Sequence, residues 1–308
     1  MNPAENFAIM SSVGLIGKTM EAPFERIKLL LQSQREIINA GRMADPYKGI
    51  RDCIVRTYRT EGFLSFWRGN LIACIGFVPQ NAMKFVLQQK FKAIAHTSAR
   101  DSKGRILATS MFSGIAASFT TMALLYPLEY CRSRLANDVI FNDKGASRRQ
   151  FKGIIDVFRK TWASDGIVGM YRGFLVSCVG IIVYRGFYFG FYDALKSIFL
   201  DDKSPMTSSV AVGVIATFSA GLVAYPFDTI RVRMLMRSIE PVKYKSFIDC
   251  GSQILKKEGV RPLMNGFVVT IFRGVIGGIA IPILDKVLNK VLGEVGDKVR
   301  MHRNSEDK

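Results

Sequence analysis

The short pattern Pro-x-acid-x-x-base occurs three times in this chain, each time at the end of a long apolar segment. The copies are Pro23-Phe24-Glu25-Arg26-Ile27-Lys28, Pro127-Leu128-Glu129-Tyr130-Cys131-Arg132 and Pro226-Phe227-Asp228-Thr229-Ile230-Arg231. Their prolines lie 104 and 99 residues apart. A period this long lies outside the solenoid class, so the chain reads as a triplicated module with repeats at approximately 1–100, 101–201 and 202–296 and a polar tail at 297–308. A second pattern, acid-Gly-x4-aromatic-base-Gly, follows each copy. It reads Glu61-Gly62 to Trp67-Arg68-Gly69, then Asp165-Gly166 to Tyr171-Arg172-Gly173. The third, Glu258-Gly259 to Met264-Asn265-Gly266, lacks the aromatic-base pair.

Residues 106–128 and 204–227 carry no charge, and each stretch has about the twenty residues needed to cross ~30 Å of hydrocarbon. Further apolar segments follow each Gly, at about 71–95, 174–199 and 267–292. The expectation is an all-α membrane protein: one transmembrane domain over 1–308, six spans in three pseudo-symmetric repeats around a central cavity, and a short helix in each long connector. The connectors 35–68, 132–172 and 231–265 hold 7, 9 and 8 basic residues against 4, 4 and 3 acidic ones. That bias places all three on one side of the membrane and both termini on the other.

The formal net charge is +18, but no basic stripe with interleaved aromatics points to nucleic acid. An anionic membrane surface and an anionic substrate fit the charge better. The five cysteines form no CxxC pair and no metal-ligand spacing, so they read as free thiols with no metal site. The N-terminus has no basic presequence, which leaves targeting information internal. With two histidines, His96 and His302, and no nucleophile–base constellation, no catalytic residue and no cofactor is expected. Charges inside a span are costly and usually functional, which singles out Lys18, Arg185 and Arg273.

The tandem patterns resemble the mitochondrial carrier family across nearly the whole chain, and its ADP/ATP carriers most. Gly17-Lys18-Thr19 before Pro23, Arg68-Gly69-Asn70-Leu71, Gly180-Ile181-Ile182-Val183-Tyr184-Arg185 and Arg273-Gly274 carry that likeness. The resemblance implies exchange of ADP for ATP across the mitochondrial inner membrane by alternating access, with the termini toward the intermembrane space. It implies a matrix gate of Glu25 with Arg132, Glu129 with Arg231 and Asp228 with Lys28, braced by Gln32. Phosphates would meet Lys18 and Arg273, adenine would meet Gly180, Ile181 and Tyr184, and Tyr184, Tyr188 and Tyr192 would form a ladder. Cardiolipin would bind at Trp67-Arg68-Gly69 and Tyr171-Arg172-Gly173.

The departures matter as much. Gly76 stands where those carriers have a substrate-binding Arg, and Lys84, further along the same span, is the candidate to replace part of its charge. Val232 stands for the middle Arg of a fifth-span signature. The cytoplasmic gate retains one complete motif, with Asp193 and Lys196, and one pair, Asp285 with Lys92. These losses motivate two alternatives: an accessory subunit of a respiratory-chain complex that no longer transports, or a carrier of another anionic metabolite.

Overall fold

The computed structural model describes residues 3–95, 103–143, 146–199, 206–237, 244–278, 282–284 and 286–287. Five long helices lie where the apolar segments predict them: α1 (Pro3–Asn39), α3 (Asn70–Ile94), α4 (Lys103–Ala136), α6 (Phe174–Phe199) and α7 (Met206–Met236). A sixth, α9, covers 267–278, with 282–284 and 286–287 also helical. The connectors carry α2 (Ile50–Glu61), α5 (Ile154–Met170) and α8 (Phe247–Lys257). Two short strands, β1 (Phe141–Asp143) and β2 (Ala146–Arg148), pair antiparallel between α4 and α5. The sequence reading did not include them, and three-residue strands carry too short a pattern to be seen.

Stretches including α3, α6, α7 and residues 261–284 are long and apolar enough to cross a membrane. The third span, α4, is charge-free over 106–128 but rich in Ser, Thr and Gly, which lowers its mean hydropathy. Two of its hydroxyls return to their own backbone, Ser113 to Ser110 O (3.1 Å) and Ser118 to Gly114 O (2.7 Å). Large apolar side chains such as Leu71, Phe112, Ile182 and Phe272 are more than half exposed. A soluble protein rarely shows so much contiguous apolar surface, whereas a lipid-facing one requires it.

The six long helices close a ring in chain order. α1 packs on α3, α3 on α4, α4 on α6 and α6 on α7. α7 meets α9 through Tyr225 and Phe267, with ring centroids 5.1 Å apart, and α9 returns to α1 through Arg273 and Glu25. The odd helices run 37, 34 and 31 residues against 25 and 26 for α3 and α6. Their excess lies past Pro23, Pro127 and Pro226, which stay inside continuous helix. A helix-interior proline loses one backbone hydrogen bond and kinks the axis, so all three odd spans can bend at the same level.

The buried core gathers at the connector end. Each connector helix opens with the same device: the Asp52, Asp156 or Asp249 carboxylate accepts from the backbone N–H of Lys48, Lys152 or Lys245, at 3.0, 3.0 and 2.9 Å. The next residue in each case, Cys53, Val157 or Cys250, is fully buried. Gly69, Gly173 and Gly266, which precede α3, α6 and α9, adopt φ of +88°, +83° and +84°. A Cβ there would lie 3.0, 3.1 and 3.2 Å from the carbonyl oxygens of Arg132, Arg231 and Lys28. Each glycine therefore seats one repeat directly on the backbone of another odd span.

Candidate functional site

The proline motifs bring six charges together at the connector end of the ring. Arg132 on α4 bonds Glu25 on α1. Lys28 on α1 meets Asp228 on α7 at 2.6 Å, and Arg231 on α7 meets Glu129 on α4 at 3.6 Å. Within α4 and α7 the base also reaches its own acid: Arg132 to Glu129 at 3.3 Å and Arg231 to Asp228 at 3.1 Å. The i, i+3 spacing of acid and base puts both on one helix face, and threefold packing turns that face inward. Gln32 donates to Asp228 Oδ2 and to Thr229 Oγ1, both at 3.2 Å. Lys28 also lies over the Tyr225 ring, 5.5 Å from its centroid. All seven residues expected in this ring are in it.

Immediately beneath lies an apolar plug of Leu29, Ala136 and Val232, one from each odd span. Val232 is fully buried there. Its seat is apolar, so Val in place of Arg leaves no charge without a partner.

Above the ring, Arg273 Nη1 lies 3.9 Å from Glu25 Oε2. Lys18 is half-buried on α1, and no hydrogen bond or ion pair holds its ammonium among the described residues. Gly76 faces open space, with nothing within 4 Å of a Cβ built on it. The contacts Gly14–Phe77 and Thr19–Cys74 between α1 and α3 set Gly76 within a turn of Lys18 in depth. Lys84 stands eight residues further along α3, about 12 Å at 1.5 Å per residue, and so leaves that space unfilled.

On α6, Gly180 packs against Phe227 of α7, where a Cβ would lie 3.4 Å from the phenylalanine Cβ. Ile181 and Arg185 are exposed and Tyr184 half-buried. Tyr184, Tyr188 and Tyr192 stack in a continuous column, with centroids 6.3 and 6.1 Å apart and planes within 19°. At the far end Asp193 and Lys196 are exposed and Lys92 half-buried. None of the three forms an ion pair among the described residues. Asp285 and the tail 297–308 lie outside those residues.

The expected lipid residues are engaged elsewhere by their side chains. Arg68 donates to Asp138 at 2.5 Å and to Phe151 O at 2.6 Å, and Arg172 bonds Asp165 at 2.8 Å. Trp67 donates its indole N–H to Thr19 O at 2.8 Å, and Tyr171 its hydroxyl to Ala123 O at 2.9 Å. At the openings of α3 and α6 the first-turn backbone N–H groups lack partners one turn back in their own helix, although that of Phe174 donates to Tyr171 O at 3.0 Å. Gly266 keeps the same backbone geometry without the aromatic-base pair, so the third repeat departs in side chains alone.

Sequence reasoning missed a set of buried ion pairs around the ring. Arg26, Arg134 and Arg233 are each 1 % exposed. Arg26 meets Glu61 at 2.7 Å, and Arg149 reaches the same carboxylate at 2.8 Å. Arg233 grips Glu258 through both terminal nitrogens at 2.6 and 2.9 Å. Glu36 lies 3.6 Å from that guanidinium and accepts from the Tyr244 hydroxyl at 2.8 Å. The available signal was the acid of each acid-Gly pattern, which needs a buried base.

The comparisons with known proteins bear on this geometry. A family profile described as Mitochondrial carrier protein matches residues 1–99, 105–203 and 202–294. The chain belongs to the mitochondrial carrier family. It is 46 % identical over 296 residues to "ADP,ATP carrier protein 2, mitochondrial" of Arabidopsis thaliana, covering 94 % of this chain and 77 % of the relative. It is 47 % identical to "ADP,ATP carrier protein 1, mitochondrial" of Triticum aestivum, over 89 % and 84 %. Identity to "ADP,ATP carrier protein" of Chlamydomonas reinhardtii is 45 %, over 91 % of each chain. Members of this family are transporters, and the three family matches coincide with the three seats of the ring.

Proposed function

We propose that this carrier exchanges ADP for ATP across the mitochondrial inner membrane by alternating access. The observation that carries the reading is a ring of three inter-span ion pairs beneath Lys18 and Arg273, in a chain about 46 % identical to proteins named ADP,ATP carriers. The basic connectors mark the matrix side and put the termini in the intermembrane space. With that orientation, the ion-pair ring lies at the matrix end of the cavity and acts as the matrix gate.

Nucleotide enters from the cytoplasmic side, its phosphates drawn to Lys18 and Arg273 and its base to the slot at Gly180, Ile181 and Tyr184. Arg185 and Lys84 add positive charge along the path, and the tyrosine column guides the base. Phosphate on Arg273 competes with Glu25 for the same guanidinium, which loosens Glu25 and, through it, Arg132. The acids and bases of the ring are 11–39 % exposed, and differential binding of about 5.5 kcal/mol is enough to invert a 1:99 population, so substrate that draws Arg273 from Glu25 shifts the gate. Lys92, Asp193, Lys196 and Asp285 close the opposite end in the other state. ATP carries one more negative charge than ADP, so exchange responds to membrane potential at ~2.3 kcal/mol per 100 mV. Cardiolipin phosphates sit on the first-turn amides after Gly69 and Gly173.

The test is exchange of labelled ADP against internal ATP in cardiolipin-containing liposomes. Saturable exchange that Lys18→Ala and Arg273→Ala each abolish is expected. Folded protein that exchanges neither nucleotide overturns the proposal in favour of an accessory subunit of a respiratory-chain complex. Exchange of another anion alone overturns it in favour of a different metabolite.

A further inference from the structure

Lys18, Glu21 and Glu25 stand at i, i+3 and i+7 on α1 and form one stripe. The stripe faces α9, where Arg273 and Gly277 stand at i and i+4. Glu25 lies against Arg273. One turn further from the ring, the Glu21 carboxylate lies on the backbone of Gly277, where an added Cβ would come 2.5 Å from Oε1. Gly277 is buried and Glu21 half-buried. No hydrogen bond or ion pair holds the Glu21 carboxylate among the described residues. An acid in a membrane-spanning helix without such a partner is costly, and costly intramembrane charges are functional by default. On the neighbouring α3, within a turn of Lys18 in depth, Gly76 contributes open space and no charge. Glu21 therefore lies between two bases in depth, Arg273 about one turn nearer the ring and Lys18 about one turn further from it, and is an acid that, among the described residues, forms no ion pair in the gate.

We propose that Glu21 is a specificity-determining residue of the nucleotide site, setting how much negative charge the site accepts beside Lys18 and Arg273 and so favouring the nucleoside diphosphate over the triphosphate. The inference rests on the nucleotide reading above. Like-charge repulsion grows with the product of the charges, so the triphosphate is repelled more than the diphosphate. Specificity obtained by setting a charge against the competitor is a general device, and the glycine seat keeps this carboxylate in place without neutralising it.

The experiment measures ADP and ATP, both without divalent cations, by thermal shift on the purified full-length carrier and by competition for exchange in liposomes. The wild-type protein is expected to respond to ADP at lower concentration than to ATP. In Glu21→Gln the half-effect concentration of ATP should fall about tenfold and that of ADP by less, narrowing the ratio. Raising the salt should narrow the ratio in the wild type and leave it unchanged in Glu21→Gln. Gly277→Ala pushes the carboxylate off its seat without removing its charge and should keep the diphosphate preference. A Glu21→Gln protein that responds to both nucleotides with the wild-type ratio overturns the proposal, as does a ratio lost in Gly277→Ala but not in Glu21→Gln, which would make Glu21 a packing residue. A wild-type protein that responds to neither nucleotide overturns the nucleotide reading together with this proposal.

Discussion

Gly69 and Gly173 carry two constraints at once, a left-handed backbone and a carbonyl from another span at contact distance. Either one excludes a Cβ, so Gly69→Ala or Gly173→Ala should cost about 1–2 kcal/mol and lower the melting temperature. Gly49 has extended backbone with nothing near it, and Gly49→Ala should melt close to the wild type. Gly76 is the opposite case, a glycine with unused space within a turn of Lys18 in depth. Gly76→Arg should fold normally, and nucleotide should stabilise it at lower concentration than the wild type in a thermal-shift titration. The Cys53 and Cys250 thiols are pushed up to about 12 by burial. At pH 8 roughly one in ten thousand is then thiolate, and the thiolate is the reactive form. Maleimide should label neither within minutes in the folded protein and both in denaturant.

Each connector helix is tied at its first turn by one aspartate, and this gives the elements a pH dependence. A salt bridge from Lys160, then the Lys152 backbone N–H, holds the Asp156 carboxyl below its usual range. The Lys245 backbone N–H, then Gln253, does the same for Asp249. Because the folded pKa is depressed, the stability these ties add is present above the unfolded value of ~3.9 and is lost as pH falls through the folded one. Acidification below about pH 4 should speed amide exchange in the first turns of α5 and α8 before the spans respond. The buried pair of Arg233 with Glu258 joins α7 to the end of α8. Stranding a buried charge outright costs about 3–5 kcal/mol, and Glu36, 3.6 Å from the same guanidinium, leaves Arg233 a second acid and lowers that cost. Glu258→Gln, which keeps the shape, should still lower the melting temperature clearly.

At the scale of the whole molecule, the ring of ion pairs is, among the described residues, the one charged structure to which all three repeats contribute. Lys28→Asp or Asp228→Lys alone sets two like charges in contact and should favour opening toward the matrix, read as a faster unloading rate in liposomes. The double variant restores an opposite pair and should return the rate toward the wild type. A double variant no better than either single one would show that Lys28 and Asp228 do not act as a pair.

The sequence by itself determined the triplication, the six spans, the acids and bases of the ring and the family. These are local: a proline, an acid and a base three apart, and a run of apolar residues impose the same conformation wherever they occur, and threefold repetition makes their partners predictable. Only the tertiary structure decided what the remaining polar groups do. Arg68 and Arg172 turn to Asp138 and Asp165, and Arg26, Arg149 and Arg233 go to the acids beside the connector glycines. Val232 closes an apolar plug where the resembled carriers have an Arg, Gly76 opens onto space that Lys84 is too far along α3 to fill, and Glu21 lies on the glycine of α9. A side chain's partner across a seam depends on which residues of distant segments arrive at the same depth, and helix packing sets that depth, not local pattern.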